Sequence, residues 1–429
     1  MRLIVGFKSA KSILSRQTPM IEDVGADERE QAVRQIIDNV RRRGDAALFD
    51  YTEKFDGVRL TSLEVSKRQI ADACNEVDAE LLSALKLAAQ RISDFHTRQK
   101  ESLFHESTGQ SLGWLIRPLK RVGVHAPGFT APLPSSLLMT AIPARVAGVK
   151  EIFLVTPPTK QGGVSPITLV AASIAGIDRV FSVGGAQAIA ALAFGTETIP
   201  NVDKVCGPGN IYVLLAKKLL YGQVGIDGLY GPSEVMIIAD DTATPEYCAA
   251  DLLAQAEHVQ GSAILTTTSR HLADKVSQEV EKQLKDLPVR SIAAESIENR
   301  GMIVIVSSVD EAIELANLYA PEHLCLVVDN AASYVDRVSN TPCLFIGENS
   351  VEALVDYVAG PSHVLPTEGV ARFGSPLNVT DFIKLINLVR MTEAEVRELG
   401  QATITIARAE GLEAHARAVE KRIGKYRKE

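Results

Sequence analysis

Residues 179–195 read RVFSVGGAQAIAALAFG. The first five are strand-like, with Val180, Phe181 and Val183 apolar, two glycines follow, and the remainder is an alanine-rich run of helical character. A strand that turns at Gly184–Gly185 directly into a helix is the joint of a βαβ unit. Working outward, strand-like EIFLV and helix-patterned PITLVAASIAG come before it. After it come DKVCG, the turn Gly207–Pro208–Gly209–Asn210, and the helical NIYVLLAKKLL. Strands alternating with helices predict a parallel, buried sheet. A second alternating series follows in EVMIIAD, SAILTTT, MIVIVSS, CLVVD and CLFIG. The expected fold is therefore α/β, with two Rossmann-like domains whose parallel sheets are covered by helices.

The flanks differ in character. Up to about Arg121 the chain is charged and helix-patterned, with Val33, Ile36, Ile37, Val40 and Leu48 at helical intervals. DAELLSALKLAAQRISDFHTRQK has the same pattern. The last stretch, from LNVTDFIKLINLVR to KRIGKYRKE, reads as helical throughout. It is amphipathic and has no strand partner of its own, which predicts packing on another domain or another subunit. No internal repeat or low-complexity segment stands out.

A chain of 429 residues is too long for one core and divides into domains. With 46% hydrophobic and 23% charged residues it is an ordinary globular composition. A net charge of -8 argues against nucleic acid or an anionic membrane as the main partner. No apolar stretch approaches the roughly 20 residues of a membrane helix. The five cysteines (Cys74, Cys206, Cys248, Cys325, Cys343) are scattered without a CxxC pair, which points to a reducing, cytoplasmic setting.

The residues that carry chemistry are polar groups at the joints of the α/β units. Gly184–Gly185 before Gln187, and Gly207–Gly209 before Asn210, read either as tight turns or as backbone cradles for a nucleotide phosphate. In APEHL, Pro321 stops a helix, so Glu322 and His323 fall on a turn into a strand. There a carboxylate and an imidazole form either an acid–base pair or a solvated cap. Gln255 and His258 lie three apart at the end of a helical run and share a face. Asp356 and His363 sit in a loop dense with Gly and Pro, where polar residues are more often functional. Glu410 and His415, read locally, are a solvated helical face. Together Gln255, His258, Asp356 and His415 make an N/O donor set suited to Zn²⁺ or Mn²⁺.

At these motifs the chain resembles the histidinol dehydrogenase family, from about Asp27 to Arg422. The matching stretches include APLPSSLLMTAIPARVAGVKEIFLVTPP, GGAQAIAALAFGTE, GPGNIYV, GPSEVMIIAD, LLAQAEH, APEHL, DYVAGPSHVLPT, ARFGSPL and EGLEAHARAV, in order. The resemblance implies NAD-dependent oxidation of L-histidinol through L-histidinal to L-histidine, the last steps of histidine biosynthesis. It implies Zn²⁺ held by Gln255, His258, Asp356 and His415, with Glu322 and His323 as the acid–base pair. It further implies that Ser233, His323, Glu410 and the zinc ligands meet the substrate, and that Gln187 and Asn210 meet NAD.

It also implies a homodimer with shared active sites. The corresponding division is an N-terminal arm (1–20), a first α/β domain (21–122 with 234–376), an NAD-binding α/β domain (123–233) and a helical tail (377–429) that completes the partner's site. His125 and Phe129, in VGVHAPGF, stand where the family shows Tyr and Gly, which puts the NAD contact at that Tyr in doubt. The acidic residue and proline that often follow His258 are missing as well. Superfamily relatives oxidise other polar alcohols, a sulfonated propanediol among them, and this is the alternative substrate class.

Overall fold

The computed structural model describes residues 1–15, 26–109, 111–128, 132–288 and 290–426. Phe129 lies outside them. In chain order the strands are β1 (Arg2–Val5), β2 (Glu64–Val65), β3 (Leu112–Pro118), β4 (Arg121–His125), β5 (Glu151–Thr156), β6 (Arg179–Ser182) and β7 (Lys204–Cys206). They continue with β8 (Gly225–Ile226), β9 (Glu234–Ala239), β10 (Ser262–Thr267), β11 (Met302–Ile305), β12 (His323–Val327), β13 (Cys343–Ile346) and β14 (Ile383–Val389).

Two six-stranded sheets form the larger of two compact units, residues 1–99 with 119–382. The upstream sheet runs β2-β6-β5-β4-β7-β8 and the downstream sheet β1-β11-β10-β9-β12-β13. Counted from its first crossover strand, each has the order third, second, first, fourth, fifth. That is the doubly wound Rossmann arrangement, built twice without any sequence repeat to announce it. All pairs are parallel except β2 with β6, an antiparallel edge.

The strands are largely apolar and buried, as expected where helices cover both faces of a sheet. Every residue of β9 and β10 is buried. The helix Gly185–Phe194 is nearly all small apolar residues, and the larger side chains of other elements close over it: Val33, Ile36, Ile37 and Val40 share one core with it and with Phe153 and Phe181.

That packing corrects the expected grouping of 21–122 with 234–376. The apolar face of the helix Ala26–Arg43 and the strand β2 belong to the upstream sheet. Periodicity fixed the buried face of this helix but carries no information about which sheet it covers. The N-terminal arm is helical over Phe7–Leu14, and ahead of that helix β1 pairs in register with β11. Among the described residues no helix is long and apolar enough to cross a membrane.

The second unit comprises residues 100–118 and 383–429. Its tail is not helical throughout. Ile383–Val389 is the strand β14, paired antiparallel with β3 over its full length, Ile383 opposite Pro118 and Val389 opposite Leu112. The tail therefore has a strand partner, supplied from far upstream, and helices Glu393–Ala409 and Glu413–Tyr426 follow it. The first of these opens on a capping box between Thr392 and Glu395.

Candidate active site

In the downstream sheet the polar residues gather at the amino ends of the strands. Ser233 precedes β9 and Glu322 precedes β12, which pairs directly with β9. Helix Val309–Tyr319 ends at Ala320 in the left-handed conformation (φ 52°). Pro321 then starts the chain into the strand, so Glu322 and His323 come off an irregular turn as expected.

Ser233 Oγ donates to Glu322 Oε2 at 2.5 Å, and the Glu234 amide donates to the same oxygen at 2.9 Å. Burial pushes the Glu322 carboxyl well above the ordinary range, and these two hydrogen bonds oppose it.

His323 is buried and its Nδ1 donates to the Glu234 carbonyl at 3.1 Å. A carbonyl can only accept, so the proton is on Nδ1 and the neutral ring carries its lone pair on Nε2. Nε2 has no hydrogen-bond partner and stands 4.0 Å from Asp356 Oδ1. Burial holds the imidazole down at about 3, so it is neutral at working pH. A ring nitrogen fixed in place and left without a partner has the geometry of a general base.

Gln255 is fully buried in the last turn of helix Pro245–Ala256, with Ser233 Oγ 3.5 Å from its Oε1 and its Nε2 unpartnered. His258 lies beyond the helix end, on a turn whose amide bonds back to the Gln255 carbonyl at 3.2 Å. The shared helical face expected for this pair is thus a helix-to-turn step, forced by the chain reversing at Gln260 (φ 62°) into Gly261. Asp356 sits in the one-turn π-helix Val355–Ala359, a local widening common at functional sites. Burial lifts its carboxyl to about 6.

His363 Nδ1 donates to the Asp356 carbonyl at 2.7 Å, and its Nε2 is 3.1 Å from Ser136 Oγ. Ser136 belongs to helix Pro134–Ala147, which follows β4 of the upstream sheet, so this histidine ties the Asp356 turn to the other half of the unit.

Among the described residues no three His, Cys, Asp or Glu side chains converge closely enough to hold a metal ion. The expected donors in the larger unit include only two of those residue types, His258 and Asp356, with Gln255 an amide. Their N/O chemistry fits a divalent cation: the Asp356 side chain is only 22% exposed, and Gln255 presents a buried amide whose Nε2 has no partner. Glu410 and His415 belong to the second unit, where they line one hollow with Thr403, Ile406 and Ala407.

The buried carboxyl of Glu352 escaped the sequence reading. Glu352 Oε1 is 3.3 Å from His323 Nδ1, and burial pushes its carboxyl well up. Its only sequence signal was a spacing of one helical turn from Asp356.

In the upstream sheet the candidate residues lie at the carboxyl ends of the strands, where open α/β sheets bind ligands. Gln187 is buried in the first turn of the helix after β6. Asn210 caps the helix after β7, accepting from the amides of Tyr212 at 3.1 Å and Val213 at 3.2 Å. His125 ends β4, its Nδ1 donating to the Pro208 carbonyl at 2.7 Å and its Nε2 buried without a partner.

The profile of the histidinol dehydrogenase family matches residues 21–423. The chain belongs to the histidinol dehydrogenase family. It is 51% identical to the histidinol dehydrogenase of Dehalococcoides mccartyi, across 99% of this chain and all of that protein. It is 52% identical to that of Deinococcus radiodurans, across 92% and 91% of the two chains. The crystal structure of histidinol dehydrogenase from Elizabethkingia anophelis superposes with a TM-score of 0.93 at 37% identity, covering 100% of this chain and 99% of that one.

Proposed function

We propose that the cluster at the amino ends of β9 and β12 oxidises histidinol to histidine in two successive hydride removals. Membership of the histidinol dehydrogenase family makes the chain an NAD-dependent oxidoreductase of histidine biosynthesis. The observation that carries the site assignment is the fixed Nδ1–H tautomer of His323, with Nε2 free.

Hydride leaves an alcohol carbon only as the hydroxyl proton is taken, and Nε2 of His323 is the group placed to take it. The resulting aldehyde must add water before a second hydride can leave. Glu322, oriented by Ser233 and the Glu234 amide, is the group to deprotonate that water. Ser233, His323 and Glu410 position the substrate. Gln187 and Asn210 receive NAD at the carboxyl ends of the upstream strands.

Zn²⁺ would be held by Gln255, His258, Asp356 and His415. When bound, it supplies a redox-inert template for the amine and imidazole of the substrate. The second half-reaction differs from the first in consuming a water molecule, whose proton Glu322 takes before the second hydride leaves. The working form is a cytoplasmic homodimer whose tails complete each other's sites. The apolar surface of the second unit supports this: Leu112, Trp114, Leu385, Ile386, Val389 and Ile406 are each more than two-fifths exposed.

The deciding experiment is NADH formation with histidinol beside a panel of small polyols, including a sulfonated propanediol. Two NADH per histidinol, with no turnover of the panel, is the expected result. Preference for a panel member would overturn the substrate assignment.

A further inference from the structure

Beneath the turn Gly207–Asn210 lies a buried ion pair that neither the sequence motifs nor the proposed chemistry uses. Lys217, on helix Ile211–Leu220, places Nζ 2.5 Å from Asp227 Oδ1, and both side chains are almost wholly inaccessible. Lys217 Nζ also donates to the Gly207 carbonyl at 2.8 Å and faces the Tyr230 ring at 5.3 Å. Asp227 Oδ2 accepts from the Gly207 amide at 2.7 Å, and its Oδ1 accepts from the Gly228 amide at 2.8 Å. Both backbone groups of Gly207 are therefore held by the two members of one ion pair. The next carbonyl, of Pro208, is taken by His125.

Only glycine fits where this clamp closes. Gly207 has φ 104°, and a Cβ there would lie 2.2 Å from the His125 carbonyl oxygen. A Cβ on Gly209 would meet Val213 at 2.5 Å. A lysine behind a glycine-rich turn invites assignment as a phosphate ligand. The geometry excludes that here, because its ammonium is enclosed and already shared among a carboxylate, a carbonyl and an aromatic face.

We infer that Lys217 and Asp227 are positioning residues for NAD: they set the path of Gly207–Pro208–Gly209 and thereby the placement of Asn210 and the helix amides behind it. Burying an ion pair costs desolvation that the pair only partly recovers, so its retention is better explained by the geometry it fixes than by stability. The inference rests on the reading that NAD docks at this turn, and the two are tested separately.

Hydrogen exchange of the full-length enzyme with and without NAD tests the reading. NAD should slow exchange across residues 207–213, and no change there removes both the reading and the inference. Asp227→Asn tests the inference by titration with NAD and, separately, with histidinol. The expected result is an NAD dissociation constant raised at least about 10-fold, with histidinol affinity and kcat at saturating NAD within about 2-fold. A lesion of general folding would move all of these together. Should Asp227→Asn fail to fold, Lys217→Met combined with Asp227→Asn removes both charges and avoids a lone buried one. NAD affinity within about 2-fold of the parent in either folded variant overturns the inference.

Discussion

Glu322 and His323 are adjacent in sequence, yet Glu322 Oε2 and His323 Nδ1 stand 3.8 Å apart without a hydrogen bond between them. Each is held by a different part of the edge of β9: the carboxyl by Ser233 and the Glu234 amide, the ring by the Glu234 carbonyl. Two groups anchored independently can serve two different proton transfers.

Glu322→Gln should therefore spare the first oxidation more than the second. The amide still accepts from Ser233 but cannot deprotonate water. We expect the aldehyde-to-acid half-reaction to fall by about 10²-fold or more, within the usual range for loss of a general base. The alcohol-to-aldehyde half should fall by less than about 10-fold. Histidinal supplied directly isolates the defect, and equal losses in both halves would refute the division of labour.

Metal removal probes a different set. Gln255, His258 and Asp356 are held by elements whose cores are complete without an ion, so chelation should abolish turnover while the circular dichroism of the fold persists. Added zinc should restore activity. Full activity in rigorously metal-free protein would take the ligand role away from these three and His415 together.

Asp56 gives a stability prediction with a definite pH sense. It sits at the end of helix Asp45–Asp56 with Oδ2 buried and unpartnered, and burial raises its carboxyl from 3.8 to about 6. The helix C-terminus also disfavours negative charge. A raised folded-state value means the protonated acid favours folding, and that contribution is lost as pH climbs through about 6. Asp56→Asn should thus match the parent at pH 4 and exceed it at pH 8. The full shift would cap the gain at roughly 3 kcal/mol, and solvent screening of a half-buried group reduces it to about 1 kcal/mol. Denaturation at both pH values checks it, and a variant less stable at pH 8 than the parent contradicts it.

What could be read ahead of the structure divides along local and long-range lines. The five downstream strands were legible because each is a continuous apolar run flanked by helical pattern. Strand β14 was not. IKLINLV is compatible with a helix, and its partner β3 is supplied by a segment remote in sequence. β1 is four residues long and takes its meaning only from β11. At the site, Glu322 and His323 were found because Pro321 marks the turn. Glu352 carried no such mark, and His258 read as helical because the chain reversal at Gln260 leaves no strong local signal.

The tail yields the last prediction. Glu410, just past the first tail helix, and His415, on the second, line one hollow of the second unit, where exposed apolar residues include Leu399, Ile406 and Leu412. We expect an apolar surface of that extent to be covered by a second copy of the chain, whose site the tail residues would complete. Consider a hybrid dimer of one Glu322→Gln chain and one His415→Asn chain, each inactive in the second half-reaction as its own homodimer. If each tail completes its partner's site, one hybrid site collects both lesions and the other collects none. Activity should then return to about half the parental value per dimer. If each tail serves its own chain, every site keeps one lesion and the hybrid stays inactive, which would rule out the exchange.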